Sequence, residues 1–595
     1  MAKEPAEMLL RSKHLCYFQQ HGEIFAFHNL FGYLLSMSAD LVDLLEFHHS
    51  DLRTREEVDA EFGEHFDKEQ LDEFMTVFRL FSCLIDSELG EERSLWSMVP
   101  VRVRWVVFHQ PSERQLTFWR TDRAGASSAD PVAPWAARLW SMTNGERKLR
   151  DLYDDVKDDP SLAEFSNPEQ HVLDTLAEWV HHERQYLKFA KAPLSKYGKE
   201  HQWPSYLRST MPFAPWRPGV DPVPTNALEP VGVPLAPPHG YYESGVADPE
   251  KQFHEVETTL SHLLREPHVL LGGKSYSDRV VEALVKRGHL GAETHDVLEI
   301  GAGVGHFAAG FLARVREDHP EVFAGLRYTI LDLSPALRGA QKALLEARGL
   351  ADKVRWREAN AETADLGEDA VDLLLCNEVI GDFTTVKLTR EIVGLTEELD
   401  PAKAFETWTE ETIKKLGDTG DVLREYAIPL RDAPDSFYFN VGAIQFLPRL
   451  LRALRPGGSA FVTEYGDALK YPVAGTHLDH LEFSIHFGHL VHVARRLGLD
   501  VDFQYVQDVI GLDRNAMTLT TARTYFTSLR AMLASFGVLL DKIAYTREMF
   551  EALVEDAVPI GEIGDVRFQI VDERCMGLAP HEFKALFLKK PVTAG

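Results

Sequence analysis

The sequence predicts an α/β, Rossmann-like domain in the C-terminal half, preceded by two small winged helix-turn-helix units of α+β type. Three observations carry this prediction. Residues 296–307 (D-V-L-E-I-G-A-G-V-G-H-F) read as a buried strand that turns through glycines into a helix, the opening of a nucleotide-type α/β fold. The first two hundred residues run twice through a hairpin followed by amphipathic helices, a weak internal repeat. Residues 203–238 hold ten prolines and few periodic apolar positions, which marks a semi-rigid extended linker. The predicted bounds are 1–97 and 98–198 for the two front units, 199–238 for the linker and 239–595 for the α/β domain, with an insert near 389–438.

In the first unit, Gly22–Phe27 alternates as a short strand and Gly32–Leu35 is its hairpin partner. Ser36–Ala39 then starts a helix with Leu41, Val42, Leu44 and Leu45 inward. Helices over 55–62 and 68–81 and a strand at Cys83–Ile85 close the unit. The second unit repeats the order: strands over 102–109 and 115–120, then helices over 134–140, 149–156 and 169–183. Winged helices often bind DNA, but these copies are acidic.

In the α/β domain the glycine turn admits three readings. A P-loop is excluded, because no Gly-Lys-Ser/Thr follows to grip phosphates. A dinucleotide site wants a third glycine that packs helix on sheet, and positions 306 and 307 are His and Phe. The third reading is S-adenosylmethionine (SAM), which has no phosphate. It needs a carboxylate before the glycines for the methionine ammonium, supplied by Glu299, and a second one after the next strand for the ribose hydroxyls. That strand, Tyr328–Leu331, ends at Asp332. A third strand at Val354–Trp356 leads to Asn360-Ala361-Glu362, the adenine region, and a fourth at Val371–Leu375 leads to Cys376-Asn377-Glu378. The order of strand ends predicts a class I SAM methyltransferase, with Glu299, Gly301, Gly303, Gly305, Asp332, Leu333, Ala361, Glu362 and Asn377 on the cofactor. The bland alternatives are strand-end caps for Glu299 and Asp332, and a solvated loop charge for Glu362.

With 595 residues, 45% hydrophobic and 26% charged, the chain is of ordinary globular composition and long enough for several cores. A formal net charge of −29 counts against nucleic acid or an anionic membrane as the main partner. No apolar run is long enough to span a bilayer. Cys16, Cys83, Cys376 and Cys575 are scattered without metal-ligand spacing, which fits a reducing cytoplasm.

The two front units resemble, over 22–45 with 54–85 and more loosely over 103–187, the PqqD-like fold that holds leader peptides in ribosomal-peptide biosynthesis. The resemblance implies that a leader segment adds as a strand to the hairpin edge; a structural or dimerising appendage is the other reading. Residues 239–595 resemble the MidA family of SAM-dependent methyltransferases, which includes a mitochondrial complex I assembly factor. The matching places are Gly240-Tyr241-Tyr242, the loop 299–305, Tyr328–Pro335, Asn377-Glu378 with Asp382, Arg455–Gly458, Glu464–Asp467, Met576-Gly577 and Phe583-Lys584. This chain departs from the family at Gly381, an extra residue, at Thr385 in place of proline, and over 482–487. Those departures lie near the acceptor side.

Methyl transfer is an in-line displacement at an activated sulfonium carbon, so the protein mainly positions donor and acceptor and excludes water. A protonated nitrogen must lose its proton first, which a carboxylate can take. Glu378 and Asp382, after the fourth strand, are the expected acceptor-positioning pair, with a helix N-terminal charge and a turn residue as their plain alternatives. The family resemblance implies an arginine guanidinium on a protein as acceptor. His486, His489 and His492 recur at three-residue intervals, open to metal ligation, to a catalytic base at His486 or His489, or to ordinary helix packing. No cysteine or carboxylate completes a ligand set, so no metal is expected. The reading is a methyltransferase acting on a peptide or protein, compatible with a homodimer. An O-methyltransferase of a peptide or small natural product and a non-catalytic assembly factor are the alternatives.

Overall fold

The computed structural model describes residues 8–20, 23–103, 106–122, 126–208, 215–216, 242–243, 246, 259–395, 408–477, 480–519, 523–540, 545–564, 566–570 and 582–592. Gly240-Tyr241, Cys575, Met576-Gly577 and most of the proline-rich stretch lie outside the described residues. The chain divides into two units. One comprises Met1–Leu228 with Ala522–Leu540 and Met549–Arg567; the other comprises Glu229–Thr521 with Asp541–Glu548 and Phe568–Gly595.

The first unit follows one path twice. Strand β1 (Met8–Arg11) leads into a meander of β2 (Leu15–Gln20), β3 (Glu23–His28) and β4 (Leu34–Met37). Helices Ala39–Glu46, Arg55–Phe62 and Lys68–Leu80 follow, with β5 (Arg53–Thr54) between the first two; β6 (Leu84–Ile85) then returns to pair with β1. In the second pass β7 (Val99–Arg102) leads into β8 (Val107–Ser112), β9 (Gln115–Thr121) and β10 (Ser127–Pro131). Helices Pro134–Met142, Leu149–Val156, Pro160–Ala163 and Pro168–Val180 come next, and β11 (Leu187–Ala190) pairs back with β7. Side chains fix the helix starts. Ser38 accepts the N–H of Leu41, and Thr54 and Asp67 form reciprocal capping boxes with Glu57 and Gln70.

The expected hairpins are β3–β4 and β8–β9, and each meander has a third strand that the pattern did not show. Leu15, Tyr17 and Phe18 of β2 are all buried, so the strand lacks a polar face, whereas β10 is a polar edge with no apolar face. Inside the proline-rich stretch, β12 (Pro215–Trp216) pairs with β2.

The sequence reading assigned residues 522–567 to the α/β domain, but most of them pack on the second meander. Helix Arg523–Ser535 buries Tyr525, Phe526, Leu529 and Met532, and Ser528 Oγ meets Thr121 Oγ1 at 2.9 Å. Further on, Gly564 donates its N–H to the Phe108 carbonyl at 3.1 Å. A Cβ there would fall 1.6 Å from Phe108 Cζ, so only glycine allows the approach.

In the second unit β13 (Asp296–Ile300) lies inside a sheet ordered β15-β14-β13-β16-β19-β26-β23. Strands β14 (Arg327–Asp332) and β15 (Val354–Glu358) lie on one side of it, and β16 (Val371–Asn377) and β19 (Leu454–Asp467) on the other, all parallel. Strand β26 (Phe583–Lys589) runs antiparallel between β19 and β23 (Asp500–Tyr505). Alternate residues feed two cores. Leu298, Ile300, Leu374, Val462 and Leu588 face one; Val297, Leu373, Leu375, Phe461 and Phe587 face the other. The chain reverses its direction of travel across the sheet between β13 and β16, and such a switch point opens a crevice at the carboxyl ends of the strands.

The insert between β17 (Val386–Thr389) and β18 (Ser436–Phe439) joins the first of these cores through Leu416, Leu423, Ile428 and Leu430. The histidine series holds it there. His489 Nε2 lies 3.1 Å from the Pro429 carbonyl and His492 Nε2 lies 2.8 Å from that of Tyr426. Two hairpin strands, β20 (Ala474–His477) and β21 (His480–Phe483), precede β22 (Ile485–His486), which pairs with the end of β19. Strands β24 (Met517–Leu519) and β25 (Phe568–Ile570) pair with each other.

Candidate active site

A cavity of about 400 Å³ lies at the carboxyl ends of β13, β14, β16 and β19. Six described carboxylates line it, those of Glu299, Asp332, Glu378, Asp382, Glu464 and Glu482, and no lysine or arginine does among the described residues.

At one end stands the glycine turn. Gly301 and Gly303 have φ of +65° and +54° and line the cavity. A Cβ on Gly301 would come within 2.6 Å of Val379 Cγ2, so the turn needs glycine for conformation and for space. Gly305, with φ +92°, is not among the lining residues; its Cα packs on the helix Pro335–Ala347, where a Cβ would meet Gln341 Cα at 3.2 Å.

Glu299 is 2% exposed and accepts the Tyr328 hydroxyl at 2.8 Å. Burial pushes its carboxyl up to about 8; the tyrosine hydrogen bond opposes this and the Asp332 charge adds to it. Asp332 accepts the Ser334 N–H at 2.9 Å and Gln341 Nε2 at 2.8 Å, and burial pushes it up to about 6. Gln341 also donates to the Gly303 carbonyl at 2.9 Å, tying the turn to Asp332. Both carboxylates are therefore held by neutral donors, which leaves their charge available to a cation or to hydroxyl donors. Leu333 and Ala361 line the cavity beside Ala359 and Asn360. Glu362 does not line it: its Oε1 accepts the Thr384 N–H at 2.9 Å, and a loop is pinned instead.

The other end is assembled from distant segments. Asn377 accepts Tyr276 Oη at 2.6 Å and Thr463 Oγ1 at 2.9 Å, and donates to Ser261 Oγ at 3.2 Å and Glu378 Oε1 at 3.1 Å. Its amide knits the floor together. Glu378 sits at φ +55°, a conformation that costs a non-glycine residue roughly 1–2 kcal/mol. Its carboxylate accepts the N–H groups of Leu260 at 3.3 Å and Ser261 at 3.4 Å, the first residues of the short helix Leu260–Leu263. Asp382 accepts the Tyr242 hydroxyl at 3.1 Å.

Glu464, on β19, is 7% exposed and accepts the N–H of Gly381 at 3.0 Å and of Tyr465 at 2.8 Å. Burial, with the Glu482 charge next in size, holds its carboxyl well above the ordinary range. His486 is not brought to the cavity. It caps the helix Phe487–Arg496 by accepting the His489 N–H at 3.2 Å, and burial lowers its imidazole to about 4. Sequence reasoning missed Tyr276, Gln341 and Ser261, and it gave no role to Glu464 and Glu482. Glu464 had its place at the carboxyl end of a buried strand and in the MidA-like stretch 464–467; Glu482 lay in the departing run 482–487.

Residues 281–519 match the model of a family described as "Putative S-adenosyl-L-methionine-dependent methyltransferase". Among solved structures, the chain is similar to a Burkholderia thailandensis protein bound to S-adenosyl-homocysteine, at 18% identity over 60% of this chain and 89% of that one, with a TM-score of 0.32. It is also similar to a phosphoethanolamine N-methyltransferase of Haemonchus contortus, at 13% identity over 58% of this chain and 61% of that one, with a TM-score of 0.28. No curated protein matches. The glycine turn, the ordered strand ends and the family match agree: residues 281–519 form the core of a SAM-dependent methyltransferase, and its cofactor is S-adenosylmethionine.

Proposed function

We propose that this enzyme transfers a methyl group to a cationic nitrogen, an arginine guanidinium or an amine, on a peptide or protein. The observation that carries the reading is the lining of the cavity: six carboxylates, with no lysine or arginine among the described residues. An acceptor carboxylate would join a set of like charges, whereas a guanidinium or ammonium would compensate groups whose burial is otherwise costly.

The cavity suits the cofactor on chemical grounds. Glu299 would take its ammonium, Asp332 its ribose hydroxyls, Ala359 to Ala361 its adenine, and Gly301 and Gly303 would let the backbone approach. When bound it supplies an electrophilic methyl on sulfonium. The chain's own residues would hold it along the strand ends, and the carboxylates at the ends of β16 and β19 would be left for the acceptor.

Two features support a peptide or protein substrate. The resemblance to MidA enzymes implies an arginine on a protein as acceptor. The repeated front unit, a three-strand meander followed by helices, fits the winged-helix reading; β4 is a terminal strand of its sheet, and its Leu34 is 52% exposed. A leader strand would add to that edge.

The test is methylation by the full chain with labelled SAM and two peptide pools, one with arginine, lysine and free amines, the other with only hydroxyl and carboxyl acceptors. Base-stable label in the first pool is expected. Base-labile label, the mark of a methyl ester, or label in the second pool alone would overturn the nitrogen reading.

A further inference from the structure

We infer that Glu464, with Glu482 beside it, is the carboxylate that receives the acceptor nitrogen and its proton, and that Glu378 is a structural strut. The inference rests on the nitrogen-acceptor reading above.

Position comes first. The register of β16 on β19 sets Asn377 opposite Thr463, so Glu464 stands one residue beyond the point where Asn377 closes the floor. Four strand positions separate β15 from β19 in the sheet, about 19 Å at the usual spacing, which puts Glu464 at the opposite end of the cavity from the adenine region. Its carboxylate belongs to the cavity wall together with Glu482 of β21.

Hydrogen bonding comes second. A carboxylate offers about four acceptor directions. On Glu378, Leu260 N–H takes Oε2, while Ser261 N–H and Asn377 Nδ2 share Oε1, so both oxygens serve the short helix and the floor. On Glu464 the backbone N–H groups of Gly381 and Tyr465 take one direction on each oxygen. Both donors are backbone groups, so they fix the carboxylate without neutralising it.

Gly381 makes this arrangement possible. A Cβ there would meet the Phe483 carbonyl at 3.0 Å and Glu464 Cδ at 3.2 Å. The residue that departs from the family pattern in the sequence is therefore the one that lets the loop after β16 close on Glu464. The charges facing Glu464 are carboxylates, Glu482 and then Glu378, so an entering cation relieves repulsion as well as burial.

In the transfer, the acceptor N–H proton passes to the Glu464 carboxylate and the freed lone pair forms the bond to the methyl carbon. The pair of the breaking carbon–sulfur bond stays on sulfur, so the sulfonium becomes a thioether and Glu464 ends neutral.

The probe is sinefungin, which carries an ammonium where the cofactor carries its methyl sulfonium; S-adenosylhomocysteine carries neither charge. Calorimetric titration of the full chain should show sinefungin bound more tightly than S-adenosylhomocysteine, by tenfold or more. Glu464→Gln should keep S-adenosylhomocysteine affinity within about threefold and lose most of that preference, on the order of tenfold to a hundredfold. Glu482→Gln should lose a smaller part. Full preference retained in Glu464→Gln overturns the inference; if the wild type still gives base-stable label on basic peptides, the nitrogen reading survives it. Absence of preference in the wild type likewise overturns the inference, and base-labile label overturns both. Should Glu464→Gln fail to bind S-adenosylhomocysteine at all, Glu482→Gln decides: an unchanged preference there overturns the pairing, and a reduced one supports it.

Discussion

The two ends of the cavity reach a similar chemistry by different construction. At the β13–β14 end, Glu299, the glycines, Asp332 and Gln341 come from one strand–turn–helix–strand–helix run of 45 residues or so, and each partner belongs to a neighbouring element. At the β16–β19 end, Tyr242, Ser261, Asn377, Glu464 and Glu482 come from five separate segments; hydrogen bonds run from Tyr242 to Asp382, from Asn377 to Ser261 and from Gly381 to Glu464, and Glu482 joins them in the lining. The first end is a device that local geometry can specify. The second exists only once the whole sheet has formed; on the reading proposed above it is the acceptor end, where choice can vary while the proposed cofactor end stays fixed.

The largest effect that separates the ends is expected at Gly301. Its backbone is left-handed at φ +65°, and a Cβ would lie 2.6 Å from Val379 Cγ2. A β-branched residue there incurs roughly 1–2 kcal/mol of conformational strain and roughly 1–3 kcal/mol of overpacking. Gly301→Val should therefore weaken cofactor binding by more than about a hundredfold. Calorimetry with SAM, beside a thermal melt to verify folding, measures it. Normal affinity in a folded variant would break the idea that the turn, and not the far end, holds the cofactor.

This difference in construction also explains what was legible in the sequence. Strands β13 to β16 were readable because parallel strands buried on both faces are continuous apolar runs with glycine or acidic residues at their ends. Glu299 and Asp332 were readable for the same reason. Glu362 and Gly305 followed the pattern equally well, yet one pins Thr384 and the other packs on Gln341, because sequence spacing does not say which way a side chain points. Glu464 was visible as a strand end and within a MidA-like stretch; what holds its carboxylate is the N–H of Gly381, 83 residues earlier in the chain. The histidine series looked chemical and proved to be carpentry: His489 and His492 each reach a carbonyl of the insert some sixty residues away. The helix Arg523–Ser535 was assigned to the wrong unit because amphipathic spacing shows that a face is buried but not what covers it.

A second, smaller effect sharpens the contrast through pH. Glu299 is raised to about 8, above the ordinary carboxylate value of its unfolded state near 4.5, so the folded protein holds this proton more tightly than the unfolded chain does. Its contribution to stability is full below about 4.5 and is lost as pH rises through about 8. A bound ammonium needs the ionised form, so wild-type affinity for SAM should climb with pH, by up to about tenfold per unit, and level off above about 8. Glu299→Gln should flatten that climb, bind SAM ten- to a hundredfold more weakly at pH 8.5, and resist urea better than wild type there. A variant with the wild-type pH slope would assign the slope to Asp332, whose carboxyl titrates near 6.

The smallest effect tests whether the insert is separable from the cofactor end. His492 Nε2 donates to the Tyr426 carbonyl at 2.8 Å, and His492 is not among the residues that line the cavity. Replacing it with phenylalanine leaves that carbonyl without its ring donor, at a cost of about 1–2 kcal/mol. His492→Phe should lower the melting temperature by a few degrees, as expected for a loss of that size in a domain this large. Hydrogen exchange should quicken over 408–430, while SAM affinity stays within about twofold of wild type. If SAM binding weakens in step with the exchange, the insert and the glycine turn are energetically one structure. The contrast between a locally specified end and an assembled one would then have to be redrawn around the core they share through Ile300, Val462 and Phe437.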